Sequence, residues 1–237
     1  MTEKREESLI KAQLEGVRKR LREAERRYGR TPGSVGLVAV SKTRPAEDLR
    51  LAYQAGQRDF GENYLQEALE KMDRLDLPGL VWHFIGPLQS NKTRPVAERF
   101  DWVHTIDRIK LARRLSEQRP ADKPPLNVCL QVNISGEASK SGITITGLEE
   151  LAFATARLPR LRLRGLMAIP APASDPEEQR APFRALREAL ENLKASDLPL
   201  DTLSMGMTSD LEAAVAEGAT LVRVGTAIFG PRAKKST

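Results

Sequence analysis

A chain of 237 residues is long for an ordinary domain but fits one α/β barrel, and it can bury a core without disulfides or metals. Its single cysteine, Cys129, excludes an intramolecular disulfide and suits a reducing compartment. A net charge of +6 accompanies only 5% aromatic residues and no basic-aromatic platform, so nucleic-acid binding is not expected.

Residues 1–7 are charged and lack the apolar stretch of a signal peptide, and no run reaches the ~20 apolar residues that cross a bilayer. A cytoplasmic protein without membrane contact is expected. Residues 3–28, within an N-terminal segment 1–30, read as one long helix: Ile10, Leu14, Val17, Leu21 and Ala24 recur at three- and four-residue spacing. Its mixed charges read as a solvated face. Gly29, Pro32 and Gly36 end the pattern.

The next segment, Leu37-Val38-Ala39-Val40-Ser41-Lys42-Thr43-Arg44-Pro45, is a short apolar strand with a lysine where it stops. A lysine there is either an ordinary loop residue or a desolvated amine able to form a Schiff base. Further strands are expected at 57–60, 81–85, 102–105, 127–132, 162–168, 202–205 and 221–224, with helices between them. Leu65, Ala68, Leu69 and Met72 mark one apolar helical stripe, and Phe183, Leu186, Leu190 and Leu193 another. Ser209 and Glu212 have the spacing of a capping box. Cys129 lies in an apolar strand and reads as an inert core residue. Eight strands alternating with helices, without a composition shift, predict a single domain over 1–237: a (β/α)8 TIM barrel with an extra N-terminal helix and a basic tail at 231–237. The glycine-rich dinucleotide fingerprint after the first strand is absent.

In such a barrel the residues just past each strand share one face, where active sites sit. Here that rule gathers Lys42, the segment 61–64, His83 to Lys92, Thr105 and Asp107, Asn133 to Glu137 with Lys140 to Gly142, Met167, Ser204 to Ser209, and Arg223 to Gly230. The small, donor-rich loops at Ser204-Met205-Gly206 and Gly225-Thr226 follow strands seven and eight, where phosphate sites are commonly built. A Schiff-base lysine on strand one facing a phosphate cup on strands seven and eight describes a pyridoxal phosphate site. Arg223, two residues before Gly225, would meet the ring nitrogen. A guanidinium there donates but does not protonate, which weakens the ring as an electron sink.

Eight segments, VAVSKTRP, DFGENYLQE, WHFIGPLQSNK, HTID, VNISGEASKSG, GLMAIP, LSMGMTSDLEAAV and VRVGTAIFGPR, resemble in content and order the pyridoxal phosphate homeostasis proteins, small barrels related to the N-terminal domain of alanine racemase. Thr208 stands where that pattern commonly has serine. The resemblance implies that Lys42 holds pyridoxal 5'-phosphate as a Schiff base, that Ser204, Gly225 and Thr226 hold its phosphate, that Arg223 meets the ring nitrogen, and that Asn63 and Met167 line the ring. It puts His83 near the pocket, where a strand histidine can equally be a satisfied core residue.

Two functions are compatible with that site. One is a monomeric, non-catalytic handler that binds the cofactor, buffers it and passes it to apo-enzymes. The other is an amino-acid racemase or related enzyme on the same barrel. Racemization needs a proton donor on each ring face. The β-rich domain that carries the second donor in alanine racemases is not expected here, and of Tyr28, Tyr53 and Tyr64 only Tyr64 is near a strand end. The handler is therefore the expected function. A Schiff-base aldolase is more remote, since it needs no arginine at a ring nitrogen.

Overall fold

The computed structural model describes residues 2–136 and 141–231. Eight parallel strands, β1 Gly36–Val40, β2 Asp59–Glu62, β3 Val81–Phe84, β4 Trp102–Ile106, β5 Leu126–Gln131, β6 Leu161–Met167, β7 Thr202–Ser204 and β8 Leu221–Val224, follow one another round a closed barrel. Helices α1 Thr2–Arg27, α2 Ala46–Gln54, α3 Leu65–Arg74, α4 Thr93–Arg99, α5 Ile109–Gln118, α6 Ile145–Ala156, α7 Pro176–Ala195, α8 Leu211–Ala216 and α9 Thr226–Phe229 lie between and around them. The expected (β/α)8 barrel and its extra first helix are both present. Glu137, Lys140 and the basic tail after Pro231 lie outside the described residues.

The apolar stripe of α1 is buried along its length, from Ile10 through Leu14, Val17 and Leu21 to Ala24, and packs on α2, α8 and α9. Its arginines also contribute to docking: Arg20 makes a two-pronged pair with Glu212 of α8, at 3.0 and 2.8 Å. That contact explains a correction. Ser209 and Glu212 do not form a capping box; α8 starts after Asp210, and the Glu212 carboxylate pairs with Arg20 of α1. Asp210 accepts from the Met207 amide and so tightens the loop after β7.

The second strand begins two residues later than the sequence predicts. Gln57 is spent on a turn: its side-chain amide donates to Leu37 O at 2.7 Å and to Asp59 O at 2.8 Å. Ladder pairing starts only at Asp59, opposite Val81. Gly61 and Glu62 are therefore strand residues, and Asn63 is the first position of the loop.

Between barrel and helices lies the large apolar core, with Phe60, Phe84, Phe100 and Phe183 fully enclosed. The barrel interior differs in character. A few apolar side chains enter it: a Cβ on Gly61 would touch both Val38 and Ile85. His83, His104, Ser204 and Arg223 are also buried, at no more than 4% exposure, and bond to one another. A lumen normally filled by branched aliphatic residues thus carries a polar file.

Candidate functional site

Strand β1 pairs with β8 in a register that sets Val38 against Arg223 and Ala39 against Val224. The turn after β1 therefore abuts the loop after β8. A Cβ on Gly225 would lie 3.0 Å from the Val40 carbonyl oxygen, so only a glycine leaves that backbone approach unobstructed. Arg44 fastens the two loops: its guanidinium donates to Gly230 O at 2.6 Å and Pro231 O at 2.8 Å, just past α9. Lys42, Gly225 and Thr226 are brought together on the C-terminal face as the sequence predicts.

The turn that presents Lys42 rests on a buried charge cluster. Lys71 of α3 is 4% exposed, and its ammonium donates to Ser41 O and to Glu62 Oε1, both at 2.7 Å, and also to Glu67. Ser41 Oγ donates to the same Glu62 oxygen at 2.7 Å, and Glu67 accepts the Thr43 amide. Every residue of Ser41-Lys42-Thr43 is thus flanked by an anchored group, and Thr43 is held at a positive φ of 63°. Burial pushes the Glu62 carboxyl above its ordinary range, with Lys71 and the Ser41 hydroxyl pulling the other way. Sequence reasoning missed this support. Its one local signal was Lys71 on the buried side of α3, three residues after Ala68.

Strands β6, β7 and β8 supply the rest. Met167 closes β6 in register with Ser204 and is fully buried. The Arg223 guanidinium donates to Ser204 Oγ at 2.7 Å and to Ala168 O at 3.0 Å. Desolvation pulls its pKa down to about 10, which leaves it a cation at neutral pH. The Ser204 hydroxyl is fully buried, and its neighbours are Arg223 and His104 rather than the open face. Gly225 is half-buried and Thr226 exposed. The sequence pattern grouped these three residues at one anion; the structure separates Ser204 from the other two.

Across the mouth, Asn63 lines a cleft of about 450 Å³ with Ile85, Thr105, Gln131, Ile169 and Met207. A Cβ on Gly86 would fall 2.1 Å from Asn63 O, so the loop after β3 presses directly on the Asn63 backbone. Asn63 Oδ1 is buried without a hydrogen-bond partner. His83 is not at the mouth; it lies inside the lumen, bonded to Asp59 and His104.

Cys129 is fully buried in the lumen wall, and desolvation pushes its thiol up to about 12. Native protein should therefore resist aromatic disulfide reagents at pH 8, with one thiol released on denaturation. Rapid native labelling would contradict this placement. Among the described residues no group of His, Cys, Asp and Glu is arranged to hold a metal, and no helix is long and apolar enough to cross a membrane.

Comparison with known proteins identifies the family and the fold. The family model for the alanine racemase N-terminal domain matches residues 13–233. The pyridoxal phosphate homeostasis protein of Pseudomonas aeruginosa is 63% identical over 226 residues, covering 95% of this chain and 96% of the relative. The protein of the same name from Escherichia coli K12 is 57% identical over 222 residues, covering 92% and 95%. The structure of PipY from Synechococcus elongatus PCC7942 with PLP bound superposes with a TM-score of 0.81 at 40% identity, covering 93% of this chain and all of that one. Alanine racemase from Corynebacterium glutamicum shares the fold, with a TM-score of 0.73 at 17% identity, and this chain covers 63% of its length. Matched to the family model over residues 13–233 and 63% identical to a relative along 95% of its length, the chain belongs to the pyridoxal phosphate homeostasis protein family, built on the alanine racemase N-terminal barrel.

Proposed function

We propose that this chain binds pyridoxal 5'-phosphate covalently through Lys42 and serves to hold and release the cofactor within the cell, without turning over a substrate. The observation that carries the reading is the convergence of the anchored Lys42 turn with Gly225-Thr226 at the barrel mouth, above the buried Arg223 guanidinium. The fit to the cofactor rests on two further features. The unpartnered Asn63 Oδ1 offers a buried acceptor, and Gly225 lets the loop after β8 close against Val40 beside the Lys42 turn. When bound, the cofactor supplies an aldehyde carbon to which a neutral amine adds with loss of water.

In this reading Gly225 and Thr226 hold the phosphate, while Ser204 acts at the other end of the ring by fixing Arg223. Met167 forms the floor and Asn63 the facing wall. Arg223 donates to the ring nitrogen and supplies no proton to it, so the ring gains little capacity to stabilise a carbanion. That restraint supports storage and hand-over to apo-enzymes over racemization, with the protein acting as a monomer in the cytoplasm. Tyr64, the tyrosine nearest the mouth, is 53% exposed at the start of α3, an open position for a second proton donor.

Borohydride reduction of cofactor-loaded protein, followed by peptide mass spectrometry, should place a single pyridoxyl adduct on Lys42. An adduct on Lys92 or Lys140 would refute the site. Incubation with D- and L-alanine should give no interconversion above a protein-free control containing the cofactor. Sustained interconversion would establish an enzyme.

A further inference from the structure

A continuous file of side chains crosses the lumen beneath this site. Arg223 Nη1 lies 2.7 Å from Ser204 Oγ, and Ser204 Oγ lies 2.7 Å from His104 Nδ1. His104 Nε2 is 2.9 Å from His83 Nδ1, and His83 Nε2 is 3.0 Å from Asp59 Oδ1. Both histidines are fully enclosed. Asp59 has a side chain 41% exposed and lines a cleft of about 410 Å³ at the opposite end of the barrel, beside Arg18, Arg22 and Arg58.

The donor inventory fixes the direction of every bond. A guanidinium only donates, so Ser204 accepts from Arg223. The serine keeps a second lone pair, so the order is set from the other end. The Asp59 carboxylate only accepts, and a neutral His83, protonated on Nε2, leaves Nδ1 to accept from His104 Nε2. The His104 Nδ1 lone pair then takes the serine hydrogen. A second proton on either ring would set two N–H groups face to face, or leave the serine hydrogen without its acceptor. Consistently, burial, His83 and Arg223 hold His104 well below the ordinary imidazole range. Trp102 stacks on His83 at 5.5 Å and 12°, with the Arg164 guanidinium 4.8 Å over the indole, and this fixes the ring plane.

We propose that Asp59, His83, His104 and Ser204 form a one-way hydrogen-bond relay that positions Arg223 for the cofactor ring and couples the cofactor site to the hydrogen-bond acceptor that Asp59 supplies at the far end of the barrel. The proposal rests on the cofactor reading above for its ligand, but the relay is a property of the ligand-free protein. Asp59, His83 and His104 are positioning residues that act through Arg223.

The chain contains only two histidines, and both lie in the relay, so selective 15N-histidine labelling reads it directly. Long-range 1H–15N spectra of ligand-free protein should show two neutral imidazoles, both protonated on Nε2. Asp59→Leu should move the resonances of His104 as well as those of His83. The same variant should weaken pyridoxal phosphate binding about tenfold, as loss of a charged hydrogen-bond partner would. Asp59→Asn, which keeps an acceptor oxygen, should restore most of that loss. In a Ser204→Ala background, where the file is cut, Asp59→Leu should have no further effect on affinity. An Nδ1-protonated imidazole, an unmoved His104, or an equal loss of affinity with and without Ser204 would each overturn the relay. Absence of a Lys42 adduct in the wild type would instead overturn the cofactor reading, so the two failures are distinct.

Discussion

Lys42→Ala should abolish the covalent attachment of pyridoxal phosphate outright. Reduction with borohydride should leave no pyridoxyl peptide, and the yellow absorbance of loaded protein should be lost. Noncovalent contacts through Gly225, Thr226 and Arg223 should survive, because none of them depends on the lysine side chain. We expect residual cofactor affinity about a hundredfold weaker, a loss of roughly 3 kcal/mol at 1.36 kcal/mol per tenfold. Equilibrium dialysis measures that remainder. A variant that kept its absorbance band and its adduct would place the Schiff base on another amine and dissolve the assignment. Stability should barely change, since Lys42 belongs to a turn at the barrel mouth and not to the core.

Lys71→Met should act in the opposite manner, with a large cost in stability. It strands Glu62, which is fully buried in the fold, without its cation, and removing one partner of a buried pair costs about 3–5 kcal/mol. The pH dependence follows from the sign of the Glu62 shift. Its folded-state pKa is raised, so the folded state keeps this proton at pH values where the unfolded chain has released it. The contribution is fully present below the ordinary glutamate range and is lost as pH rises through the folded value. Losing Lys71 raises that folded value further. The gap between variant and wild type in urea unfolding should therefore be wider at pH 8 than at pH 5. Adding Glu62→Gln to Lys71→Met should recover part of the loss, because an amide needs no counter-charge. A gap independent of pH, or a double variant worse than the sum of the singles, would contradict the pairing. Cofactor binding should also suffer, since Lys71 holds the Ser41 carbonyl next to Lys42.

The residues that could be located from the sequence are those whose position follows from strand ends. Lys42, Gly225 and Thr226 each follow directly on an apolar run, and the barrel rule then places them on one face. Arg223 could be placed because it stands one strand period before Gly225, on the same side of the chain. Other parts of the site depend on pairs that no period links. Glu62 and Lys71 meet because α3 folds back over β2, and Asp59, His83 and His104 meet because three adjacent strands project into one lumen. Ser204 shows the limit most clearly. Its chain position was right, but whether its hydroxyl faces the mouth or Arg223 depends on the rotamer and on a histidine a hundred residues away in sequence. The capping box failed for a related reason: Glu212 had a partner on α1 that local spacing does not reveal.

The seam between β1 and β8 has a kinetic corollary. Residues 36–39 pair with residues 221–224, so the two halves of the proposed cofactor cradle come from segments far apart in the chain. During synthesis Lys42 emerges long before Gly225 exists, and the cradle cannot form until the last strand docks. Such long-range pairing is slow to nucleate, because loop closure must precede any gain from contact. A ligand that bridges the seam binds only the closed ring and adds RT ln(1 + [L]/Kd) to its stability. Vitamin supply would thereby act as a folding chaperone in the thermodynamic sense, and cells starved of it would carry a larger fraction of barrels with an open final stave.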